Sequence, residues 1–221
     1  MICLGCRSHF AETSLPLSPV SRTIAFALIC GFLTLSLGVA ANAGYGATVD
    51  LEILRLFALD TAKPTLSVDV AKWISRAGTV VPRTILVVIV ASILMMQRRP
   101  RAALVMIVVP ALTGTTTSWL KDVFDRVRPA LGPRIDPIGN AAFPSGHASN
   151  AMAIALLMAL LLPVAPRPHW IAIALLFAAV MGWSRLALGV HWPSDVVGGC
   201  LWGATFALTG YILVRRLEGA N

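Results

Sequence analysis

Six long, mainly apolar segments leave this chain few stable options other than a lipid bilayer. They run from about Thr23 to Val39, Val80 to Met96, Ala102 to Leu120, just after Pro144 to Leu162, Trp170 to Leu188 and Asp195 to Val214. A helix needs about 20 largely apolar residues to cross the hydrocarbon core, with a range of about 17–25. In lipid each backbone N–H and C=O must be satisfied within the protein, so such segments become helices. The chain has 57% hydrophobic and only 13% charged residues. Soluble domains carry about 25% charge, so a water-soluble fold of this composition is excluded. The expectation is an all-α, polytopic bundle of six transmembrane helices.

Charge placement orients the bundle. Arg98, Arg99 and Arg101 lie between two apolar segments, Arg167 and His169 between two others, and Arg215 and Arg216 follow the last. Short basic connections mark the cytoplasmic side. The same placement explains the net charge of +8 without a basic stripe for nucleic acid, so no nucleic-acid partner is expected. Both termini then lie inside, and Gly44 to Thr79, Lys121 to Pro144 and Gly189 to Ser194 face the opposite side. Residues 1–20 read as a flexible cytoplasmic leader and 21–216 as a single transmembrane domain.

Several local features are less constraining. Ala41-Asn42-Ala43 resembles a signal-peptidase site, but the long region before the first span, with Pro16 and Pro19, favours a retained helix. Asp50 to Leu59 is too short and too charged to span and suits a helix lying at the interface, with a structured loop as the alternative. Thr113 to Ser118 is polar for a lipid-facing surface, so it is expected to face other helices. Cys3 and Cys6 form a CxxC with no second ligand pair, and Cys30 and Cys200 sit in apolar runs as packing residues. No disulfide framework follows. Gly199 and Gly203 form a GxxxG that permits close helix packing, within the chain or between copies; the oligomeric state stays open.

Against this apolar background, three polar clusters converge on the side opposite the basic turns. They are Lys121 to Pro129, Phe143 to His147, and Ser184-Arg185 with His191 and Asp195. Charged groups at membrane helix ends are costly unless paired or functional. Lys121, Arg128 and Arg185 supply cations, the arginines as planar forks matched to phosphate oxygens. Ser145 and Gly146 open a long helix, whose free N–H groups attract anions. His147 and His191 can exchange protons or attack near neutral pH. His191 and Asp195, four residues apart, make a base oriented by a carboxylate or, equally, a buried polar cap on the last helix. Asp122, Asp125 and Asp136 raise the possibility of a divalent metal, but Arg126, Arg128 and Arg134 accompany them, so no metal or other cofactor is expected.

Taken together, the clusters resemble the three signature motifs of the type 2 phosphatidic acid phosphatase superfamily: KxxxxxxRP at Lys121 to Pro129, PSGH at Pro144 to His147, and SRxxxxxHxxxD at Ser184 to Asp195. Every fixed position is present, in order. The basic turns put this site at the extracytoplasmic helix ends, and the compact chain is read as one of a bacterial cytoplasmic membrane. The resemblance implies a phosphohistidine on His191, Asp195 as its orienting carboxylate, and His147 as the acid for the leaving oxygen. Lys121, Arg128, Ser145, Gly146 and Arg185 would bind the phosphoryl oxygens, and Ser184 would hold local structure. The implied activity is metal-independent hydrolysis of a membrane lipid phosphate or diphosphate, with undecaprenyl diphosphate as first choice. Phosphatidylglycerophosphate or phosphatidate hydrolysis, lipid phosphotransfer, and non-catalytic lipid-phosphate binding or transport are the alternatives.

Overall fold

The computed structural model describes residues 18–130, 141–162 and 167–219; Cys3, Cys6, Arg134, Asp136 and most of the 1–20 leader lie outside them. Within these residues the protein is an all-α bundle. Its helices are α1 (Pro19–Asn42), α2 (Ala47–Phe57), α3 (Leu66–Ala77), α4 (Val80–Met96), α5 (Pro100–Phe124), α6 (Gly146–Leu161), α7 (Arg167–Ala187) and α8 (Pro193–Gly219). The starts follow local chemistry. Ser18 Oγ accepts from Ser21 N ahead of Pro19, and Thr65 Oγ1 accepts from Val68 N at α3. Pro100 and Pro193 open α5 and α8, positions where a missing N–H costs nothing.

The protein is an integral membrane protein with multiple apolar spans. α1, α5, α7 and α8 are each long and apolar enough to cross, and α3 with α4, bent by 53°, makes a fifth if taken as one span. α6 has 16 residues, short of the usual span, so helix length alone does not carry the expected count of six. α6 is nevertheless the most enclosed helix, with twelve of those residues buried. The outward faces of the other spanning helices carry large apolar side chains, among them Phe26, Phe32, Leu104 and Leu176, as a lipid-facing belt requires.

The GxxxG is used inside the chain. A Cβ on Gly199 would stand 2.6 Å from Ser145 O, and one on Gly203 would stand 2.2 Å from Ser149 O and 2.9 Å from Ala153 N. With no side chains there, the α8 backbone lies directly on α6. Self-association therefore needs no role for this motif. Ser145 N donates to Asp195 O at 2.9 Å, tying the start of α6 to the start of α8. On the other face of α8, Gly38 of α1 leaves room for Phe124 and Phe143, which meet edge to face at 5.2 Å.

Asp50 to Leu59, expected as an interfacial helix or a structured loop, falls largely within α2, and a second helix, α3, follows it. α2 and α3 pack on the ends of α7 and α8, with Leu54, Val68 and Ala71 fully enclosed. The polar part of α5 divides: Thr113 and Thr117 are buried, whereas Thr115 and Ser118 are exposed. The expectation that the whole stretch faces other helices is thus corrected. Outward hydroxyls are tolerated because they bond within their own helix, as Ser118 Oγ donates to Gly114 O at 3.1 Å. At the opposite end, Arg99 pairs with Glu218 at 3.1 Å, fastening the basic turn before α5 to the end of α8.

Candidate active site

α5 runs one turn past its expected end, so Lys121 is held in helix rather than loop. Its Nζ donates to Ala141 O and Ala142 O at 3.0 and 3.1 Å, which places it beside the entry to α6. Asp125 then adopts a left-handed conformation, φ 41°, and turns the chain back across the helix ends. The next residues are extended, with Val127 bridged to Ala141. Alternation in an extended segment puts residues 126 and 128 on one face. Arg126 and Arg128 accordingly point inward and are buried, while Val127 is 71% exposed.

His191 follows α7 and is 2% exposed. Its Nδ1 lies 3.3 Å from Asp195 Oδ2, and its Nε2 lies 3.3 Å from Arg128 Nη1. A guanidinium can only donate, so Nε2 carries the lone pair and Nδ1 carries the proton. The tautomer is therefore set by its two neighbours. Burial, and after it the nearby charges of Lys121, Arg185, Arg128 and His147, hold the imidazole well below its ordinary pKa. A neutral ring with Nε2 as its basic atom is the result. These influences also show that the six sequence-picked residues Lys121, Arg128, His147, Arg185, His191 and Asp195 gather at one place.

The remaining candidates fall around this group. Ser145 is the N-cap of α6 and wholly buried, and its Oγ has no hydrogen-bond partner among the described residues. Gly146 begins α6 beside it. Arg185 is 1% exposed and donates from Nη1 to Ser75 Oγ of α3. His147 packs under the α3–α4 bend, where a Cβ on Gly78 would lie 2.6 Å from its Cδ2. Ser184 Oγ donates to Met181 O at 2.7 Å, a local helix bond. Asp122 and Asp125 are exposed and outside the cluster. Among the described residues no group of three His, Cys, Asp or Glu side chains is placed to hold a metal ion.

Two residues central to this arrangement escaped sequence reasoning. Arg126 bridges Asp195 Oδ1 and Asp50 Oδ2, each at 2.6 Å, and donates to Ser194 Oγ at 2.7 Å. Asp50, on α2, accepts from Ser194 N at 2.9 Å and from Ser194 Oγ. Asp195 Oδ2 also accepts from Trp192 N at 2.8 Å, and Arg126 lies over the Trp192 ring at 5.6 Å. A buried line Asp50–Arg126–Asp195–His191 thus runs from the α2 surface helix to the imidazole. The RxR alternation at Arg126 and Arg128 was the available signal; nothing local marks Asp50.

Comparison with known proteins places this geometry in context. The family model described as PAP2 superfamily matches residues 102–218. The decaprenylphosphoryl-5-phosphoribose phosphatase of Mycobacterium tuberculosis is 38% identical over 77 residues, which are 35% of this chain and 40% of that protein. Phosphatidylglycerophosphatase B of Escherichia coli is 41% identical over 78 residues, 35% of this chain and 31% of that protein. The chain spans less than half the length of these curated relatives. In fold it is similar to the transmembrane PAP2-type phosphatidylglycerolphosphate phosphatase of Bacillus subtilis. The TM-score is 0.74 at 24% identity, covering 88% of this chain and 96% of that one.

Proposed function

The chain belongs to the PAP2 superfamily, and from that premise we propose that it hydrolyses a membrane lipid phosphate or diphosphate through a phosphohistidine on His191. One observation carries the reading. His191 presents a neutral Nε2 beside Arg128, with its Nδ1 proton directed at Asp195. A structural cap would need the histidine–aspartate bond but not a second, basic nitrogen turned toward a cluster of cations.

In the reaction, the Nε2 lone pair attacks phosphorus and the bond from phosphorus to the lipid oxygen breaks. His147 gives its proton to the departing oxygen, which matters most for a poor alkoxide leaving group. Water then attacks the phosphohistidine, His147 takes the water's proton, and phosphate leaves with the imidazole restored. Asp195 holds the Nδ1 proton throughout and stabilises the charge that develops on the ring. Phosphoryl transfer depends chiefly on positioning and on charge at the equatorial oxygens. Lys121, Arg128, Arg185, Ser145 and the Gly146 N–H provide both with no metal.

The bundle crosses six times, with α6 as the shielded central span, and opens its site to the extracytoplasmic side of a bacterial inner membrane. A head group can meet the site there while its tail stays in lipid. The names of the M. tuberculosis and E. coli relatives carry a polyprenyl-linked and a glycerol-linked phosphate respectively, consistent with that class. Undecaprenyl diphosphate is our first choice.

The test is phosphate release in detergent micelles from undecaprenyl diphosphate, phosphatidylglycerophosphate and phosphatidate. Release should persist in EDTA and vanish in His191→Ala. His147→Ala should slow monophosphate hydrolysis by about 10²–10⁴-fold, and the diphosphate less. Near wild-type release from His191→Ala would sink the nucleophile assignment.

A further inference from the structure

Arg83 is the one cation in α4, and it does not behave as an interfacial anchor. An anchoring arginine turns its guanidinium out to the head groups. Arg83 is half-buried and leans inward over Gly114 of α5, toward Asn150 of α6. A Cβ on Gly114 would stand 3.6 Å from Arg83 Nη2 and 3.8 Å from Asn150 Oδ1. No ion pair or hydrogen bond engages Arg83 among the described residues.

Asn150 adds a second observation. It is 3% exposed, and its Nδ2 donates to Gly146 O at 3.0 Å, which fixes the amide orientation. Its Oδ1 is then a buried acceptor with no partner among the described residues. Such an atom needs a donor, and the Arg83 guanidinium has five N–H groups. The guanidinium and the Asn150 Oδ1 both flank Gly114 without a direct hydrogen bond, and both residues line a cavity of about 40 Å³ with Gly78, Pro82, Leu86 and Phe177 among others.

The location of this cavity gives it meaning. Gly78, in its wall, leaves the room that the His147 ring takes up, so the cavity adjoins the side chain assigned to the leaving group. Asn150 lies one helical turn, about 6 Å, along α6 from Gly146. The cavity shares Leu86, Ile154 and Phe177 with an almost wholly apolar groove of about 230 Å³. That groove continues between α4, α6 and α7 past Met158 to Trp170. A cation therefore stands between the phosphoryl site and a path suited to a hydrocarbon tail.

We propose that Arg83 binds a second phosphate of the substrate, located between the scissile phosphoryl group and the tail, and so selects lipids with two phosphates over lipids with one. This rests on the phosphatase reading above. Two sources share the chemistry: a lipid diphosphate, with the second phosphate one oxygen away, and a glycerol-bridged lipid such as phosphatidylglycerophosphate. An unpaired cation in this position would be costly for a monophosphate whose tail begins at the leaving oxygen.

The experiment measures kcat/KM in micelles for the wild type, Arg83→Gln and Arg83→Lys on four lipids. These are a prenyl diphosphate, the matching prenyl monophosphate, phosphatidylglycerophosphate and phosphatidate with the same acyl chains. Arg83→Gln should lower the ratio of two-phosphate to one-phosphate kcat/KM by about 10- to 100-fold, the range of a charge-assisted contact. Arg83→Lys should recover part of it. The lipid pair whose ratio falls identifies the source. An equal loss on all four lipids would mean a structural role and overturn the proposal, as would an unchanged ratio.

If the wild type releases phosphate from none of the four, the phosphatase reading falls separately. The Arg83 assignment is then decided by binding of a methylene-bridged lipid bisphosphonate against the matching monophosphonate. Selective weakening of the bisphosphonate in Arg83→Gln supports the assignment. Parallel affinities overturn it.

Discussion

Replacing Arg126 by Met removes the cation from between two buried carboxylates, and the consequence can be worked from the contacts. Asp50 and Asp195 are 5% and 0% exposed, and each loses a 2.6 Å ion pair. Asp50 keeps Ser194 N–H and Asp195 keeps Trp192 N–H, so neither is stripped of all donors. Breaking a buried pair by removing one partner costs about 3–5 kcal/mol, and that range applies to the site as a whole. At about 2–4 °C per kcal/mol for a chain of this size, the midpoint should fall by roughly 6–20 °C.

The more discriminating perturbation is Asp50→Asn in two backgrounds. With Arg126 present, it weakens one ion pair and turns an amide N–H toward the Ser194 donors, costing about 1–3 kcal/mol. With Arg126→Met, it removes one of the stranded charges and should stabilise by about 1–3 kcal/mol. The effect of one substitution thus reverses sign. Thermal unfolding in micelles, followed by tryptophan fluorescence, reads all four proteins. If Asp50→Asn costs the same in both backgrounds to within about 0.5 kcal/mol, the three charges are not a unit and the reasoning fails.

Two further outcomes follow from other contacts. Gly203→Ala should melt below wild type by about 1–3 kcal/mol, because its Cβ meets the Ser149 carbonyl at 2.2 Å. Gly219→Ala, with nothing within 4 Å, should change little; a Gly203→Ala protein as stable as wild type would refute direct backbone packing of α8 on α6. The pH dependence concerns His191, whose folded pKa lies below its ordinary 6.5. Below that value the unfolded chain takes a proton that the folded site refuses, so this contribution to stability is present above pH 6.5 and lost as pH falls. The midpoint of wild type should therefore drop more steeply between about pH 6.5 and 5 than that of His191→Gln; parallel slopes would contradict the neutral imidazole.

How much of this was legible beforehand differs between elements. Apolar run length is a one-dimensional property, because a span must satisfy its own backbone in lipid. The helical cores and the basic turns could therefore be read directly, and the helix ends were missed by up to about a turn. Lys121, Arg128, His147, Arg185, His191 and Asp195 were legible as a set because their spacing forms a pattern. Arg126 was visible only as one more charge in that pattern. Residues 44–79 were less readable, since two short helices packed on α7 and α8 leave a mixed, weakly periodic sequence.

The sequence alone determined that the chain is a membrane-embedded helical protein and which polar residues stand out from it, because hydrophobicity and motif spacing are encoded locally. Tertiary structure decided what those residues touch. Asp50 reaches Arg126 across 76 positions, and Arg126 reaches Asp195 across 69. Gly199 and Gly203 face α6 rather than another copy, and Arg83 turns toward Asn150 rather than outward. The physical reason is common to all four. A charge or a missing side chain has a local identity, but its partner is chosen by how helices distant in sequence pack together.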